Sequence, residues 1–160
     1  ADLTIMDVLV EAGACVSEDE DGTIHAVKAP LRAFETDLNN APDIFPIVSV
    51  LAAFCPGTSR ISGLGRLRGK ESDRAAAITD MLRQMVVEVS VDGDTLTVKG
   101  EALSSRIANG RLLNGGEYTS HHDHRMVMAL KTAALGAKEA VLIDDEDCIR
   151  KSIASVSQIL

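Results

Sequence analysis

The first residues of the chain carry a periodic pattern of apolar side chains. In residues 3–14 they recur three and four positions apart, which predicts an amphipathic helix. Residues 15–17 and 23–28 instead alternate apolar and polar side chains, which predicts two strands. Asp21-Gly22 lies between them and favours the positive φ of a tight hairpin turn. The first unit is therefore predicted to be helix, strand, strand.

The same pattern returns in the middle of the chain. Residues 74–85 again have helical apolar spacing, and residues 86–91 and 95–99 predict two strands around the turn Asp92-Gly93. Two copies of one unit in a single chain indicate an internal repeat.

The segment between the two copies enlarges the repeat. Residues 34–38 and 58–62 are predicted strands, and residues 43–54 are an apolar helix that Pro56-Gly57 ends. The unit then reads strand, helix, strand, helix, strand, strand, or βαβαββ. Because such helices need a sheet to cover their apolar sides, we expect an α/β (α+β) fold with helices packed against mixed sheets.

The third unit looks partial. Residues 108–119 are rich in Gly and Asn and are predicted to be loop, followed by a helix at 123–135, a strand at 140–143 and a final helix from about Lys151. Since the chain also opens inside its first unit, we interpret residues 1–160 as one partial domain from a longer polypeptide, with a single core.

Composition limits the classes of partner. The chain has 16 Lys and Arg against 24 Asp and Glu, a net charge of −8, and only 2% aromatic residues. An acidic surface repels nucleic acid, and few aromatic rings are present for base stacking, so nucleic-acid binding is not expected.

Membrane and disulfide signals are weak in this sequence. The longest apolar run, residues 44–56, is too short to cross a bilayer, and no basic-then-apolar leader opens the chain. Cys15, Cys55 and Cys148 cannot all pair with one another, and each lies in or beside an apolar stretch. We expect buried, reduced thiols in a cytoplasmic protein without membrane contact.

A dense group of cations marks the candidate chemistry. Arg66, Arg68, Lys70 and Arg74 fall within nine residues of an acidic chain and end where a helix is predicted to begin. They could form an ordinary solvated face. Unpaired N–H groups and the dipole of a helix N-terminus favour anions, however, so the interpretation we prefer is a site for phosphate or carboxylate.

Two carboxylates near these cations could have structural roles. Asp43 opens the apolar helix, and capping that helix is its more common role. Glu71 could be a first-turn carboxylate paired with Lys70 or Arg74, or an acid/base group whose pKa is tuned by neighbouring cations and by burial.

The run His121-His122-Asp123-His124 suggests a metal site at first sight. Contiguous side chains alternate faces in a strand and fan out in a helix, and the next residue, Arg125, would repel a cation. We therefore disfavour a metal and expect Asp123 to cap the helix that carries His124 and Arg125. Lys151, considered alone, is a surface lysine.

Taken together, these motifs resemble those of the EPSP synthase family. The runs that carry the resemblance are Pro42-Asp43, Arg68-Gly69-Lys70-Glu71-Ser72-Asp73-Arg74, Asp123-His124-Arg125-Met126 and Asp147-Cys148-Ile149-Arg150-Lys151-Ser152. They occur in the order and at the spacing of that family, over almost the whole chain.

The resemblance implies a transfer reaction without a cofactor. Enolpyruvyl would move from phosphoenolpyruvate to the 5-hydroxyl of shikimate 3-phosphate, in aromatic amino-acid synthesis, with release of phosphate. It also implies one of two domains of the enolpyruvyl transferase fold, which close on substrates in the cleft between them. The missing second domain would therefore be a partner of this chain, and catalysis by the chain alone is not expected.

The resemblance also assigns roles to individual residues. Asp43 would bind the shikimate hydroxyls and take the 5-hydroxyl proton, while Glu71 and Lys70 would handle proton transfer. Arg66 stands where better-known members have an Asn that contacts the shikimate phosphate. The cationic contacts to phosphoenolpyruvate, with the histidine beside them, would come from Arg74, His124, Arg125 and Lys151.

Two alternatives remain open at this point. One is the related transferase that acts on UDP-N-acetylglucosamine, although the run from Lys70 to Arg74 is typical of the shikimate enzyme. The other is a non-catalytic anion-binding domain.

Overall fold

The computed structural model of this chain describes residues 4–69 and 73–151, without the side chains of Arg150 and Lys151. The helices in these ranges are α1 (Thr4–Glu11), α2 (Phe45–Ala53), α3 (Arg74–Gln84), α4 (Leu103–Ala108) and α5 (His124–Ala134). The strands are β1 (Cys15–Glu18), β2 (Ile24–Val27), β3 (Glu35–Asp37), β4 (Gly57–Ser62), β5 (Glu88–Asp92), β6 (Thr95–Gly100), β7 (Gly116–Tyr118) and β8 (Val141–Ile143). Short 3₁₀ helices at Pro42–Ile44, Leu64–Leu67 and Glu146–Lys151 accompany them.

The middle unit forms a mixed four-stranded sheet in the order β3-β4-β6-β5. β3 and β4 run parallel because α2 connects them, whereas β6 is antiparallel to both β4 and β5. This is the predicted βαβαββ unit, and the predicted α/β class with mixed sheets is confirmed.

One face of this sheet supplies the core. Ile61, Leu96 and Val98 are fully buried on it, while alternate positions on the same strands are polar and more exposed. α2 lies between this face and α5, and because it is apolar on every side it is buried almost throughout.

The outer units are smaller. β1 and β2 form an antiparallel hairpin, and every residue of β2 is exposed, including Ile24 and Val27. In the described part of the chain β2 pairs with β1 alone, whereas its counterpart β6 has a strand on each side. β7 and β8 pair in parallel, as β3 and β4 do.

The loop predicted for residues 108–119 is wrong in part, since β7 lies inside it and α4 just before it. The sequence of α4 shows no helical spacing of apolar residues because the helix is held in place by a polar side chain. The buried guanidinium of Arg106 donates to the carbonyls of Glu101, Arg111 and Ala53, while Leu103 on the same helix is exposed. A helix held in this way needs no apolar stripe.

Two smaller predictions also need correction. The strand expected at residues 86–91 begins at Glu88, because Val86 adopts a left-handed φ of 63° that ends the turn after α3. Cys55 and Cys148 are buried as expected, and burial raises the pKa of the Cys55 thiol to about 11, but Cys15 is exposed at the start of the β1 hairpin.

In the described ranges we find no helix that is both long and apolar enough to span a membrane.

Candidate anion-binding site

The starts of three helices carry the candidate residues. α2 follows β3, α3 follows β4 and α5 follows β7, and the three helices pack against one another. Each connection brings the chain from a strand end into a helix N-terminus, where unpaired N–H groups and the helix dipole favour negative charge. Asp43, Arg74 and the pair Asp123 and Arg125 lie at these three starts.

Arg74 joins the three helix starts. Its Nε donates to Oδ2 of Asp123 at 2.6 Å, and its Nη2 donates to Oδ1 of the same carboxylate at 3.2 Å. Its Nη1 donates to Oδ1 of Asp43 at 2.9 Å. The guanidinium is buried, and the two hydrogen bonds to Asp123 form away from water, so together with the bond to Asp43 they compensate its desolvation.

The carboxylate of Asp123 both pairs with Arg74 and caps a helix. Its side chain is fully buried, accepts from Arg74, and also accepts from the backbone N–H of Arg125 at 2.9 Å. It occupies the N-cap of α5, so the predicted capping role is confirmed. One carboxylate thus fixes both the buried guanidinium and the helix start that carries Arg125.

Asp43 does not cap α2. The N-cap position belongs to Ile44, and no side-chain capping bond forms there. Asp43 lies instead in the preceding 3₁₀ turn, where its carboxylate accepts from Arg74 and its side chain is 44% exposed. The predicted cap is therefore wrong, and the carboxylate is partly accessible from solvent.

Arg125 contributes an unusual donor. Its Nε is buried and has no hydrogen-bond partner among the residues that the structure describes. A buried polar atom without a partner is uncommon in a folded protein and calls for a physical explanation. An anion at the start of α5 would satisfy this donor and would also be favoured by the helix dipole.

The other predicted residues are only partly placed. Arg66 is exposed in the 3₁₀ helix Leu64–Leu67, which packs beside the turn that carries Asp43. His124 is half-buried and begins α5. Lys70 and Glu71 lie outside the described residues. For Lys151 only the backbone is described, at the end of the last 3₁₀ helix.

The sequence interpretation missed a second network beside Asp123. Because β7 and β8 are parallel neighbours, the loops that follow them lie side by side. Asp144 Oδ1 accepts from both the backbone N and the Oγ of Ser120, each at 2.8 Å. The hydrogen bond from the Ser120 backbone N–H, helped by the Thr119 and Ser120 side chains, lowers the pKa of Asp144 to about 2. The sequence signal that could have indicated this network is the polar residue that directly follows each of the strands β7 and β8.

Comparisons with known proteins agree with this picture. A family model described as EPSP synthase (3-phosphoshikimate 1-carboxyvinyltransferase) matches residues 1–160. The 3-phosphoshikimate 1-carboxyvinyltransferase of Brachyspira hyodysenteriae is 36% identical over 152 residues, which are 94% of this chain and 34% of that protein. That of Methanocorpusculum labreanum is 40% identical over 148 residues, or 92% of this chain and 32% of that protein.

A solved structure gives the same result. EPSP synthase from Acinetobacter baumannii superposes with a TM-score of 0.76 at 25% identity, covering 94% of this chain and 36% of that one. The predicted fold family is therefore confirmed. The chain spans about a third of the length of the curated relatives that it matches.

Proposed function

The chain belongs to the EPSP synthase family, and from this premise we propose that it is part of an enzyme that makes 5-enolpyruvylshikimate 3-phosphate. The substrates are phosphoenolpyruvate and shikimate 3-phosphate, and the second product is inorganic phosphate. Residues 1–160 then form a partial domain that requires the second domain of the same enzyme as its partner. The alternative transferase that acts on UDP-N-acetylglucosamine has no comparable support from the relatives described above.

The observation that carries this proposal is the position of Arg74. Its guanidinium links the carboxylates of Asp43 and Asp123 and so gathers the N-termini of α2, α3 and α5. A partly exposed carboxylate and fixed cations at adjacent helix starts suit a reaction between a hydroxyl group and a multiply charged anion. Such preorganised charges stabilise developing charge without further rearrangement.

The proposed steps are those that the family resemblance implies for the matching residues. Asp43 binds the shikimate hydroxyls. It accepts the proton of the 5-hydroxyl while the 5-hydroxyl oxygen bonds to C2 of phosphoenolpyruvate. Glu71, assisted by Lys70, delivers a proton to C3 and removes one when the C2–O bond to phosphate breaks. Arg74, Arg125 and Lys151 hold the phosphate and carboxylate of phosphoenolpyruvate, with His124 beside them, and Arg66 lies toward the shikimate phosphate.

Reconstitution tests the proposed reaction. The chain is combined with the remaining part of a related enzyme, and phosphate release is followed with both substrates present. We expect turnover from the combination and none from either part, because closure of two domains assembles the site and excludes water. Binding of phosphoenolpyruvate with no turnover by a folded combination would favour the non-catalytic anion-binding alternative.

Replacing Arg125 gives a sharper prediction. In the reconstituted enzyme, Arg125→Ala should weaken phosphoenolpyruvate binding about 10- to 100-fold, since a hydrogen bond to a charged group contributes about 1.5–3 kcal/mol. Lys151→Ala should act in the same direction. Isothermal titration calorimetry measures both effects.

Arg83→Ala is the matched control for these variants. Arg83 is an exposed arginine at the far end of α3. Its replacement by Ala removes the same charge as Arg125→Ala, but away from the three helix starts. The affinity of the Arg83→Ala enzyme for phosphoenolpyruvate should stay within twofold of that of the unmodified reconstituted enzyme. Equal affinity in the Arg125, Lys151 and Arg83 variants would contradict the assignment of the site.

A further inference from the structure

The loop between β7 and α5 has an unusual backbone. His121 and His122 adopt left-handed φ values of 53° and 56°, although neither is glycine. Two consecutive residues of this kind persist only where the surrounding contacts hold them in place. The next residue is Asp123, which caps α5 and contacts Arg74.

Ser120 holds this turn from within. Its side chain is fully buried, and its Oγ accepts from the backbone N–H of His122 at 3.2 Å. Its carbonyl accepts from the backbone N–H of Asp123 at 3.0 Å. The conformation of residues 121–123 therefore depends on where Ser120 is fixed.

Asp144 fixes Ser120 from the neighbouring loop. Its carboxylate accepts from the N–H and the Oγ of Ser120, and its own N–H donates to the Tyr118 carbonyl at 3.2 Å. These contacts lower the pKa of this carboxyl to about 2, so it stays charged even at a pH that protonates an ordinary aspartate. The side chain of the next residue, Asp145, contacts the outside of the turn, through the exposed ring of His122 at 2.7 Å.

We infer that Asp144 is a positioning residue for the anion site, acting through Ser120 and the left-handed turn to place Asp123 and the buried Nε of Arg125. This inference rests on the proposed function, because it concerns the same site. Asp144 touches neither of the two guanidiniums in any contact described above. Its effect passes through the backbone of residues 120–123.

The first test follows Arg125 itself by NMR in the unliganded chain. Hydrogen exchange at Arg125 Nε is measured in the unmodified protein and in Asp144→Ala. We expect exchange at least tenfold faster in the variant, with the Leu82 amide in α3 changing much less. Ile61→Val, a core variant in β4, controls for general loss of stability and should leave the ratio of the two exchange rates unchanged.

The second test measures phosphoenolpyruvate affinity in the reconstituted enzyme. Asp144→Ala should weaken binding at least tenfold, and Asp144→Asn should restore part of the loss because its amide oxygen still accepts from Ser120. Asp145→Ala, at the adjacent position, should stay within twofold. If Asp144→Ala does not fold, Ser120→Ala removes the same side-chain contact and should give the same pattern.

The outcomes separate two failures. If the unmodified enzyme does not bind phosphoenolpyruvate, the proposed function fails, while exchange at Arg125 still decides whether Asp144 positions it. Unchanged Arg125 exchange in folded Asp144→Ala and Ser120→Ala overturns the positioning role, whatever the affinity. An equal loss of affinity in Asp145→Ala also overturns it, because that carboxylate does not contact Ser120.

Discussion

Asp123→Asn is expected to lower the free energy of unfolding by about 3 kcal/mol, because removing one partner of a buried ion pair leaves the other charge poorly compensated. The side chain is fully buried against the guanidinium of Arg74. Asn has almost the same shape as Asp and caps helices equally well, so the loss reports on charge rather than on the helix start. Urea denaturation, followed by circular dichroism, measures the change.

Asp73→Asn is the matched control for this substitution. Asp73 caps α3 by accepting from the Ala76 N–H, and it is exposed. The same chemical change at this second N-cap should alter the unfolding free energy by less than about 0.5 kcal/mol. Similar losses at both positions would mean that capping, not the buried ion pair, explains the result.

Gly100→Ala is expected to cost about 3 kcal/mol of stability, at the upper end of the usual range for overpacking. An added Cβ at the end of β6 would collide with the carbonyl oxygens of Ala52 and Cys55. Both are backbone atoms, so neither can rotate away. The strand would have to move off the end of α2 and disturb the packing of Leu96 and Val98, which thermal and urea unfolding would detect.

Gly110→Ala separates this collision from the general cost of replacing glycine. Gly110 has a left-handed φ of 64°, and a Cβ there would meet no atom within 4 Å. Only the preference of glycine for this backbone conformation is lost, so we expect the free energy of unfolding to fall by about 1 kcal/mol. A Gly100 variant no less stable than the Gly110 variant would show that β6 and α2 are packed less closely than the structure indicates.

The local elements of this fold could be predicted from sequence because each has a local cause. Asp92-Gly93 turns a hairpin whose strands alternate apolar and polar side chains, and β5 and β6 form as expected. The same reasoning failed where a distant partner decides the structure. α4 depends on Arg106 and carbonyls up to 53 residues away, and no periodicity in its own sequence indicates this.

The candidate site shows the same division. The cap formed by Asp123 was predictable from its position before a helix. Its contact with Arg74 spans 49 residues and depends on the packing of α3 against α5, so spacing along the chain could not indicate it. The capping prediction for Asp43 failed for the same reason, since Arg74 attracts the carboxylate away from the nearby N–H groups. Charge pairing across the core outweighed a local preference.

The exposed strand β2 affects how the isolated chain behaves in solution. One side of this strand presents backbone N–H and C=O groups with no neighbouring strand among the described residues, next to the exposed apolar side chains of Ile24 and Val27. An unprotected strand of this kind is a template for pairing with an identical strand of another molecule. The free chain is thus prone to self-association as its concentration rises, which favours dilute samples for every titration.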